Sequence, residues 1–323
     1  NGLWLVQLEN AQGTYQIQAK ALVNAAGPWV AQFIQQNLKQ KSPYGLRLVQ
    51  GSHIIVPRIY EGDQAFILQN DDQRIVFAIP YLEQYTLIGT TDHEYQGDLD
   101  RVEITPAEID YLLDVYNDHF KHQLVPEDIL WTYSGVRSLC DDESDNPSAI
   151  TRDYTLAMSH EQKDDAPLLS VFGGKLTTYR KLAESAVAHL QPFFPNMNKP
   201  WTEKVLLPGA EKLVSVERLI QEIMQSIEDA PFQLASRWAH AYGSRVWKFI
   251  NAITAMDELG EDFGHGLCAR EVDYLVDQEW ARTSQDILWR RTKLGYQFSD
   301  DQIQLLDQYL SKLLVKRSQD SAA

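Results

Sequence analysis

The sequence is poor in cysteine: Cys140 and Cys268 are the only two among 323 residues. They lie too far apart to form a short metal-binding or redox motif, and two cysteines do not make a disulfide framework. A reducing, cytoplasmic environment is therefore expected. The sequence also lacks any apolar run approaching the roughly 18 residues that cross a bilayer, so no membrane-spanning helix is expected.

Clustered basic residues are absent as well. The chain has 29 Lys and Arg against 45 Asp and Glu, a formal charge of -16. Nucleic acid is excluded as a partner, because binding phosphate backbones needs a concentrated basic face. With 44% hydrophobic and 23% charged residues the composition is that of a globular protein, and the length is enough for two domains.

The most informative stretch that is present is Leu168–Arg180. Its apolar start predicts a short strand, Gly173 and Gly174 break that strand, and helical spacing follows, with Thr177 and Thr178 as expected caps. A strand, a glycine turn and a helix N-terminus present backbone N–H groups to an anion or an electron-rich carbonyl. The alternative is an ordinary β–α turn without a ligand.

A similar pattern occurs at Ala21–Val30, where a buried strand is predicted to end in Ala26 and Gly27, before a helix. Small residues at the carboxyl end of a strand allow a cofactor to approach the backbone. Close packing alone also explains them.

Between residues 46 and 135 the sequence alternates in strand fashion, with one helical segment beginning at Thr105-Pro106. We expect an antiparallel sheet covered by that helix. From residue 201 onward, apolar stripes at helical spacing predict an all-helical domain. One stripe runs from Trp238 to Ile250 and another from Val272 to Arg291, and the second is expected to place Trp280 and Trp289 in the core. The expected domains are 1–45, 46–150 with the sheet, 151–200 returning to the first domain, and 201–323.

Five segments, taken in order, resemble the FAD-dependent, respiratory glycerol-3-phosphate dehydrogenases of bacteria. The most specific ones read Trp-Thr-Tyr-Ser-Gly-Val-Arg, Phe-Gly-Gly-Lys-Leu-Thr-Thr-Tyr-Arg and Asp-Ile-Leu-Trp-Arg-Arg-Thr-Lys-Leu-Gly. The segments are Asn24–Trp29, Gly51–His53, Trp131–Leu139, Gly173–Arg180 and Glu279–Leu294. The resemblance implies an α/β flavoprotein fold of the glycine and D-amino-acid oxidase type, namely a partial FAD-binding domain and an antiparallel substrate-binding sheet, followed by an all-helical C-terminal domain.

The resemblance also implies a reaction. FAD would oxidise glycerol 3-phosphate to dihydroxyacetone phosphate and pass the electrons to a membrane quinone, at the inner face of the cytoplasmic membrane. A homodimer is a further expectation. The residues implied in contact with FAD belong to the two small-residue turns: Ala26, Gly27, Gly173, Gly174, Lys175, Leu176, Thr177 and Thr178.

Four residues are expected to act on the substrate. Arg137 and Arg152, each expected beside a turn, would hold the phosphate, since a guanidinium matches phosphate geometry. His53 would take the hydroxyl proton, and Lys175 would offset negative charge on the reduced flavin or hold the substrate oxygen. The alternatives are surface ion pairs for the arginines and a structural role for the histidine.

Two departures from the family pattern are visible. A G-x-G-x-x-G fingerprint is absent, as only Gly2 and Gly13 precede Asn24. We therefore expect an upstream portion before Asn1, and we expect the chain as it stands to hold FAD poorly. Ser138 replaces a usual proline, which we expect to loosen a loop carrying Arg137. Another FAD-dependent hydroxy-acid or amine oxidase, and a non-catalytic fragment of the fold, remain alternatives.

Overall fold

The computed structural model describes residues 2–10, 13–141, 153–159 and 165–320. The chain divides into two compact units, Asn1–Thr202 and Glu203–Ala323. The sequence predicts an acidic loop at Asp141–Pro147 and an exposed hairpin tip at Ser159–Ala166. Most of the first and much of the second lie outside the described residues. The four-part domain division stays a prediction.

The strands of the first unit alternate with three helices. Within the described residues, the strands are β1 (Trp4–Asn10), β2 (Gly13–Ala19), β3 (Leu22–Asn24), β4 (Leu46–Pro57), β5 (Phe66–Gln69), β6 (Ile75–Tyr81), β7 (Tyr85–Gly89), β8 (His93–Glu94), β9 (Trp131–Cys140), β10 (Tyr154–Ser159) and β11 (Leu168–Gly173). The helices are α1 (Val30–Gln36), α2 (Pro106–His119) and α3 (Tyr179–Leu190).

A three-stranded sheet with the order β10-β11-β3 carries the two glycine turns. Strand β11 is buried along most of its length and runs parallel to β3, with Ser170 opposite Asn24. The strand, the Gly-Pro break and the helix predicted at Ala21–Val30 are present, but the strand is shorter and less buried than expected. Strand β3 has three residues and the side chain of Val23 is exposed, because the chain turns at Ala26 into a 3-10 turn.

The second sheet of this unit has six strands, in the order β5-β6-β7-β4-β8 with β9 pairing β4 on its other edge. Strand β4 is antiparallel to β7, β8 and β9, and α2 covers one face. The predicted antiparallel sheet with a covering helix is confirmed. Side chains alternate along a strand, so Ile54 and Val56 pack with Leu112 and Tyr116 of α2, whereas His53 lies on the opposite face.

Helix α2 begins where the sequence predicts. Thr105 is the N-cap: its hydroxyl accepts a hydrogen bond from the Glu108 amide, and the Glu108 carboxylate accepts one from the Thr105 amide. This capping box satisfies two of the amide groups that a helix start leaves unpaired.

The second unit is helical. Its α-helices in the described residues are α4 (Val216–Ser226), α5 (Phe232–Tyr242), α6 (Trp247–Ile250), α7 (Ala269–Gln278) and α8 (Asp300–Asp320), with a π-helix at Asp286–Arg291. Two predicted stripes are interrupted: a 3-10 turn separates α5 from α6, and α7 ends before Trp280. Trp280 was expected in the core but is 80% exposed, with φ of 58°.

The core of the second unit surrounds one buried carboxylate. Glu271 of α7 accepts hydrogen bonds from both terminal nitrogens of Arg237 (2.6 and 2.7 Å), from the Trp238 indole (2.9 Å) and from the Tyr242 hydroxyl (2.5 Å). Burial and the Glu271 charge raise the pKa of Tyr242 well above its ordinary value.

Among the described residues, we find no helix with the length and apolar character to cross a bilayer.

Candidate active site

His53 lies in the middle of β4, on the sheet face opposite α2. Its ring stacks on Tyr133, directly across the β4–β9 pair, with the centroids 4.8 Å apart and the planes within 8°. Gly89 is its neighbour on β7. A Cβ atom at Gly89 would lie 2.3 Å from the His53 Cδ2 atom, so only glycine leaves room for the ring there.

The electrostatic environment of His53 favours the neutral imidazole. Burial, and then the nearby positive charge of Arg137, lower the pKa of His53 to about 4. Its Nδ1 atom is buried and has no hydrogen-bond partner among the described residues. At neutral pH the side chain is therefore an uncharged base with one unsatisfied nitrogen.

Arg137 lies on β9, on the same sheet face as His53. One terminal nitrogen, Nη1, is 3.3 Å from Asp92 Oδ1, and the other, Nη2, donates to the Thr90 hydroxyl at 3.2 Å. Gly51 leaves room for it, because a Cβ atom there would lie 2.6 Å from Nη2 and would displace the guanidinium from this position. The guanidinium is thus held in one orientation over the backbone of β4.

The expectation that Arg137 sits beside a turn, in a loop loosened by Ser138, is wrong. Both residues lie within β9, where Arg137 is opposite Val49 and Ser138 is opposite Leu48. Ladder pairing on β4 fixes the backbone at both positions.

The Gly-Gly turn follows β11 with left-handed backbone, φ being 72° at Gly173 and 108° at Gly174. A Cβ atom at Gly173 would lie 3.0 Å from the Asp153 carbonyl oxygen and 3.6 Å from the Ser138 carbonyl oxygen of β9. The turn therefore packs against the end of the strand that carries Arg137.

The helix after this turn begins directly after the predicted cap residues. Leu176–Thr178 form a 3-10 turn and α3 starts at Tyr179. Thr178 occupies the N-cap position of α3, but its side chain accepts no capping hydrogen bond and instead donates to the Lys175 carbonyl oxygen at 3.1 Å. The prediction that Thr178 caps the helix through its side chain is wrong, because the hydroxyl closes the preceding turn.

The backbone and side chains of this turn are open to a ligand. Within the part of the chain that the structure describes, the amide groups of Leu176 and Thr177 have no hydrogen-bond acceptor, and the Lys175 ammonium has neither an ion pair nor a hydrogen bond. The apolar side chain of Leu176 is 89% exposed. Unpaired amides, a cation and an exposed apolar group together suit a flat ring with polar edges.

The Ala26-Gly27 turn lies at the same sheet edge, since β3 and β11 are parallel neighbours and both end there. The buried side chain of Asn24 fixes its shape, donating to the Val30 carbonyl oxygen at 2.9 Å and accepting from the Ala26 amide at 3.4 Å. Gly27 has φ of 56°, and a Cβ atom there would meet nothing within 4 Å. The structure thus brings the two predicted cofactor-contacting turns together.

Arg152 lies outside the described residues, so its role stays a prediction. Sequence reasoning missed three side chains of the site: Tyr133, Thr90 and Asp92. Tyr133 could have been found from its spacing, because it precedes Arg137 by four residues in the same predicted strand and therefore lies on the same face. Thr90 and Asp92 follow β7, and nothing in the sequence shows that their loop meets β9.

Comparison with known proteins identifies this chain as an oxidoreductase and identifies its family. Residues 1–180 match the family model described as FAD dependent oxidoreductase, and residues 200–316 match that of the C-terminal domain of alpha-glycerophosphate oxidase. The chain belongs to the FAD dependent oxidoreductase family. The fold class expected from the sequence is confirmed.

Several relatives are similar over almost the whole chain. A glycerol-3-phosphate dehydrogenase of Pseudomonas aeruginosa is 60% identical over 96% of this chain, and the aerobic glycerol-3-phosphate dehydrogenase of Escherichia coli is 49% identical over 98%. This chain spans 60% and 64% of their respective lengths. The structure of the Bacillus halodurans glycerol-3-phosphate dehydrogenase complexed with FAD matches 98% of this chain and 61% of that chain, with 27% identity and a TM-score of 0.72.

Proposed function

We propose that this protein uses FAD to oxidise sn-glycerol 3-phosphate to dihydroxyacetone phosphate. The observation that carries the proposal is the placement of His53 and Arg137 on one face of the β4–β9 pair, with the Gly-Gly turn packed against Ser138, the residue after Arg137. One is a neutral base and the other a fixed guanidinium, which are the two groups that oxidation of a phosphorylated alcohol needs. The names of the similar relatives support the same substrate.

The residues of the two turns fit FAD. Left-handed glycines allow close approach of a ring to the backbone, and the unpaired amides of Leu176 and Thr177 offer donors to an electron-rich edge. FAD, when bound, would supply the acceptor for the hydride that leaves C2 of the substrate. The residues that would hold it are Ala26, Gly27, Gly173, Gly174, Lys175, Leu176, Thr177 and Thr178.

The chain's own residues bind the substrate and move its proton. Arg137 binds the phosphate dianion; a guanidinium has five N–H donors and can be oriented by Thr90 and Asp92 while it does so. The C2 hydroxyl donates to the neutral imidazole of His53, which takes the proton. The phosphate charge would offset that of Arg137, which is the smaller of the two causes that lower the pKa of His53; burial is the larger.

Lys175 stands at the Gly-Gly turn with no partner among the described residues. Its ammonium would stabilise negative charge that develops on the substrate oxygen or on the reduced cofactor. Arg152 is a second phosphate ligand in this proposal, on the family resemblance alone.

The electron acceptor proposed here is a membrane quinone, which the word aerobic in the name of the Escherichia coli relative supports. The protein would then work at the inner face of the cytoplasmic membrane as a peripheral protein. A homodimer stays a prediction.

The proposal is tested by the visible spectrum of the purified protein, expressed from its complete gene, before and after anaerobic glycerol 3-phosphate. We expect an oxidised-flavin spectrum that bleaches, and recovery of the colour with a soluble quinone analogue under nitrogen. Bleaching by an amino acid or a hydroxy acid but not by glycerol 3-phosphate would indicate another oxidase. Absence of flavin would favour a non-catalytic member of the fold.

A further inference from the structure

A carboxylate with five hydrogen-bond donors lies behind the proposed site, on the α2 face of the sheet. Glu108 is buried and accepts from donors on two elements and one loop. They are the Thr91 hydroxyl (2.6 Å), the Ser52 hydroxyl (2.7 Å), the Thr105 amide (2.8 Å), the Thr105 hydroxyl (3.0 Å) and the Gln50 amide group (3.1 Å). Burial raises the pKa of Glu108, but these hydrogen bonds outweigh it and the net shift is downward. The carboxylate is ionised at neutral pH.

One set of these contacts leads to His53. Ser52 is the residue before it on β4, and the Ser52 hydroxyl gives its single proton to Glu108. The Ser134 hydroxyl, 2.8 Å away, must therefore be the donor to Ser52. Ser134 follows Tyr133 on β9, so the link joins the two strands directly behind the stacked rings of His53 and Tyr133.

A second set of contacts leads to Arg137. The Thr91 hydroxyl donates to Glu108 and accepts from the Ser52 amide at 2.9 Å, which fixes the segment after β7 against β4. The residues on either side of Thr91 are Thr90 and Asp92, the two partners of the Arg137 guanidinium.

We propose that Glu108 is a positioning residue that orients both groups of the reaction, the base through Ser52 and the phosphate-binding arginine through Thr91. Capping of α2 explains only the contacts with Thr105. Three further donors on β4 and the β7–β8 connection exceed what a helix start requires. The inference rests on the proposed function, since it assigns kinetic roles to His53 and Arg137.

The test is steady-state kinetics of Glu108→Gln in the complete flavin-loaded protein. The amide keeps the size of the side chain but turns one acceptor into a donor that faces other donors. We expect kcat/KM for glycerol 3-phosphate to fall about 100-fold, as for a displacement of reacting groups by about 1 Å, with the flavin content unchanged. Asp110→Asn is the matched control: it removes one carboxylate charge from the exposed side of the same helix, and kcat/KM should stay at the wild-type value.

Two milder variants separate the two routes. Thr91→Val removes the hydroxyl at nearly constant volume and should raise KM more than it lowers kcat. Ser52→Ala should lower kcat more than it raises KM. Thr91→Ser keeps the hydroxyl but lacks the methyl group, and its KM should be close to the wild-type value. If Thr91 acted only by packing its methyl group, Thr91→Ser would be the more impaired of the two variants.

The outcomes are distinct. If glycerol 3-phosphate does not bleach the flavin of the wild-type protein, the proposed function is overturned, and the positioning role with it. Wild-type turnover together with unchanged kcat and KM in the correctly folded Thr91→Val and Ser52→Ala variants overturns the positioning role alone. Loss of flavin or of melting temperature in Glu108→Gln, with wild-type constants for the remaining active fraction, also overturns it, because Glu108 would then be structural.

Discussion

At the scale of single residues, the proposed site depends on one cation that is oriented before any ligand binds. Arg137 contacts Asp92 and Thr90. Its side chain therefore loses most of its conformational entropy on folding, and little remains to be lost on binding. An anion that reaches it meets donors already in place. This is the difference between Arg137 and the exposed arginines of the chain, such as Arg218, which pairs with Glu222 at 2.8 Å on the surface of α4.

We expect Arg137→Ala to raise KM for glycerol 3-phosphate about 10- to 100-fold, because a hydrogen bond to a charged group contributes roughly 1.5–3 kcal/mol. The loss should be much smaller with glycerol, which has no phosphate. Arg218→Ala is the control and should leave KM unchanged. Equal losses with both substrates would show that Arg137 does not bind the phosphate.

A second prediction at this scale concerns pH. The folded-state pKa of His53 is about 4, below its ordinary value of 6.5, so between these values the unfolded chain binds more protons than the folded one. The contribution of His53 to the free energy of unfolding is therefore fully present above pH 6.5 and is lost as the pH falls toward 4. His53→Gln should lose less stability than the wild type between pH 7 and pH 5, measured by urea midpoints.

His122→Gln, at an exposed histidine on the same unit, is the control for this titration. It should follow the wild-type curve. Coincident curves for His53→Gln and the wild type would mean that the pKa of His53 is not lowered in the folded protein.

The sequence indicates single residues of this site only where they fall in a recognisable motif. His53 and Arg137 belong to segments that resemble a family, whereas Thr90 and Asp92 do not. Their role depends on β4 lying between β7 and β9, and the order of strands in a sheet follows from packing of distant segments. Local propensity contains no such information.

At the scale of elements, a glycine in the turn after β11 can be compared with a glycine inside strand β9. Gly173 combines φ of 72° with a close carbonyl oxygen, that of Asp153. Gly135, in the middle of β9, has open space at its Cβ position. The two glycines should therefore respond differently to the same methyl group.

We expect Gly173→Ala to lower the free energy of unfolding by about 1–3 kcal/mol, the usual cost of a side chain in a sparsely populated backbone region, and to lower the flavin content of the purified protein. Gly135→Ala should change the free energy of unfolding little or slightly raise it. Denaturant unfolding and the ratio of flavin to protein absorbance measure both effects. Equal stability of the two variants would contradict the role of the turn.

Elements were predictable where one physical pattern dominates. Alternation along residues 46 to 90 predicts β4 to β7, and Thr105-Pro106 predicts the start of α2, because a capping box is a local device. The continuous helix expected from Val272 to Arg291 fails for a reason outside the pattern. Trp280 turns into the left-handed region, and the Arg291 guanidinium donates to the Glu279 carbonyl oxygen there, which stabilises a break that apolar spacing does not record.

At the scale of the whole molecule, stability of the helical unit should depend strongly on the carboxylate in its core. Glu271→Ala leaves the Arg237 charge without its partner, and breaking a buried pair costs roughly 3–5 kcal/mol. We expect about 3 kcal/mol, the lower end, because the Arg237 side chain keeps 18% exposure. Glu222→Ala, in the exposed pair with Arg218, should cost less than about 1 kcal/mol. Urea unfolding of both variants, followed by helical circular dichroism, compares them.

The parallel pairing of β3 with β11 has a consequence for how the first unit folds. Partners such as Asn24 and Ser170 are far apart in the chain, and the Trp4 indole reaches the Pro167 carbonyl oxygen across 163 residues. Contacts of such separation are made only after a large loop has closed, which slows folding. The three-stranded sheet that carries both glycine turns therefore cannot form until β11 has left the ribosome, whereas the six-stranded sheet from β4 to β9 can form before it.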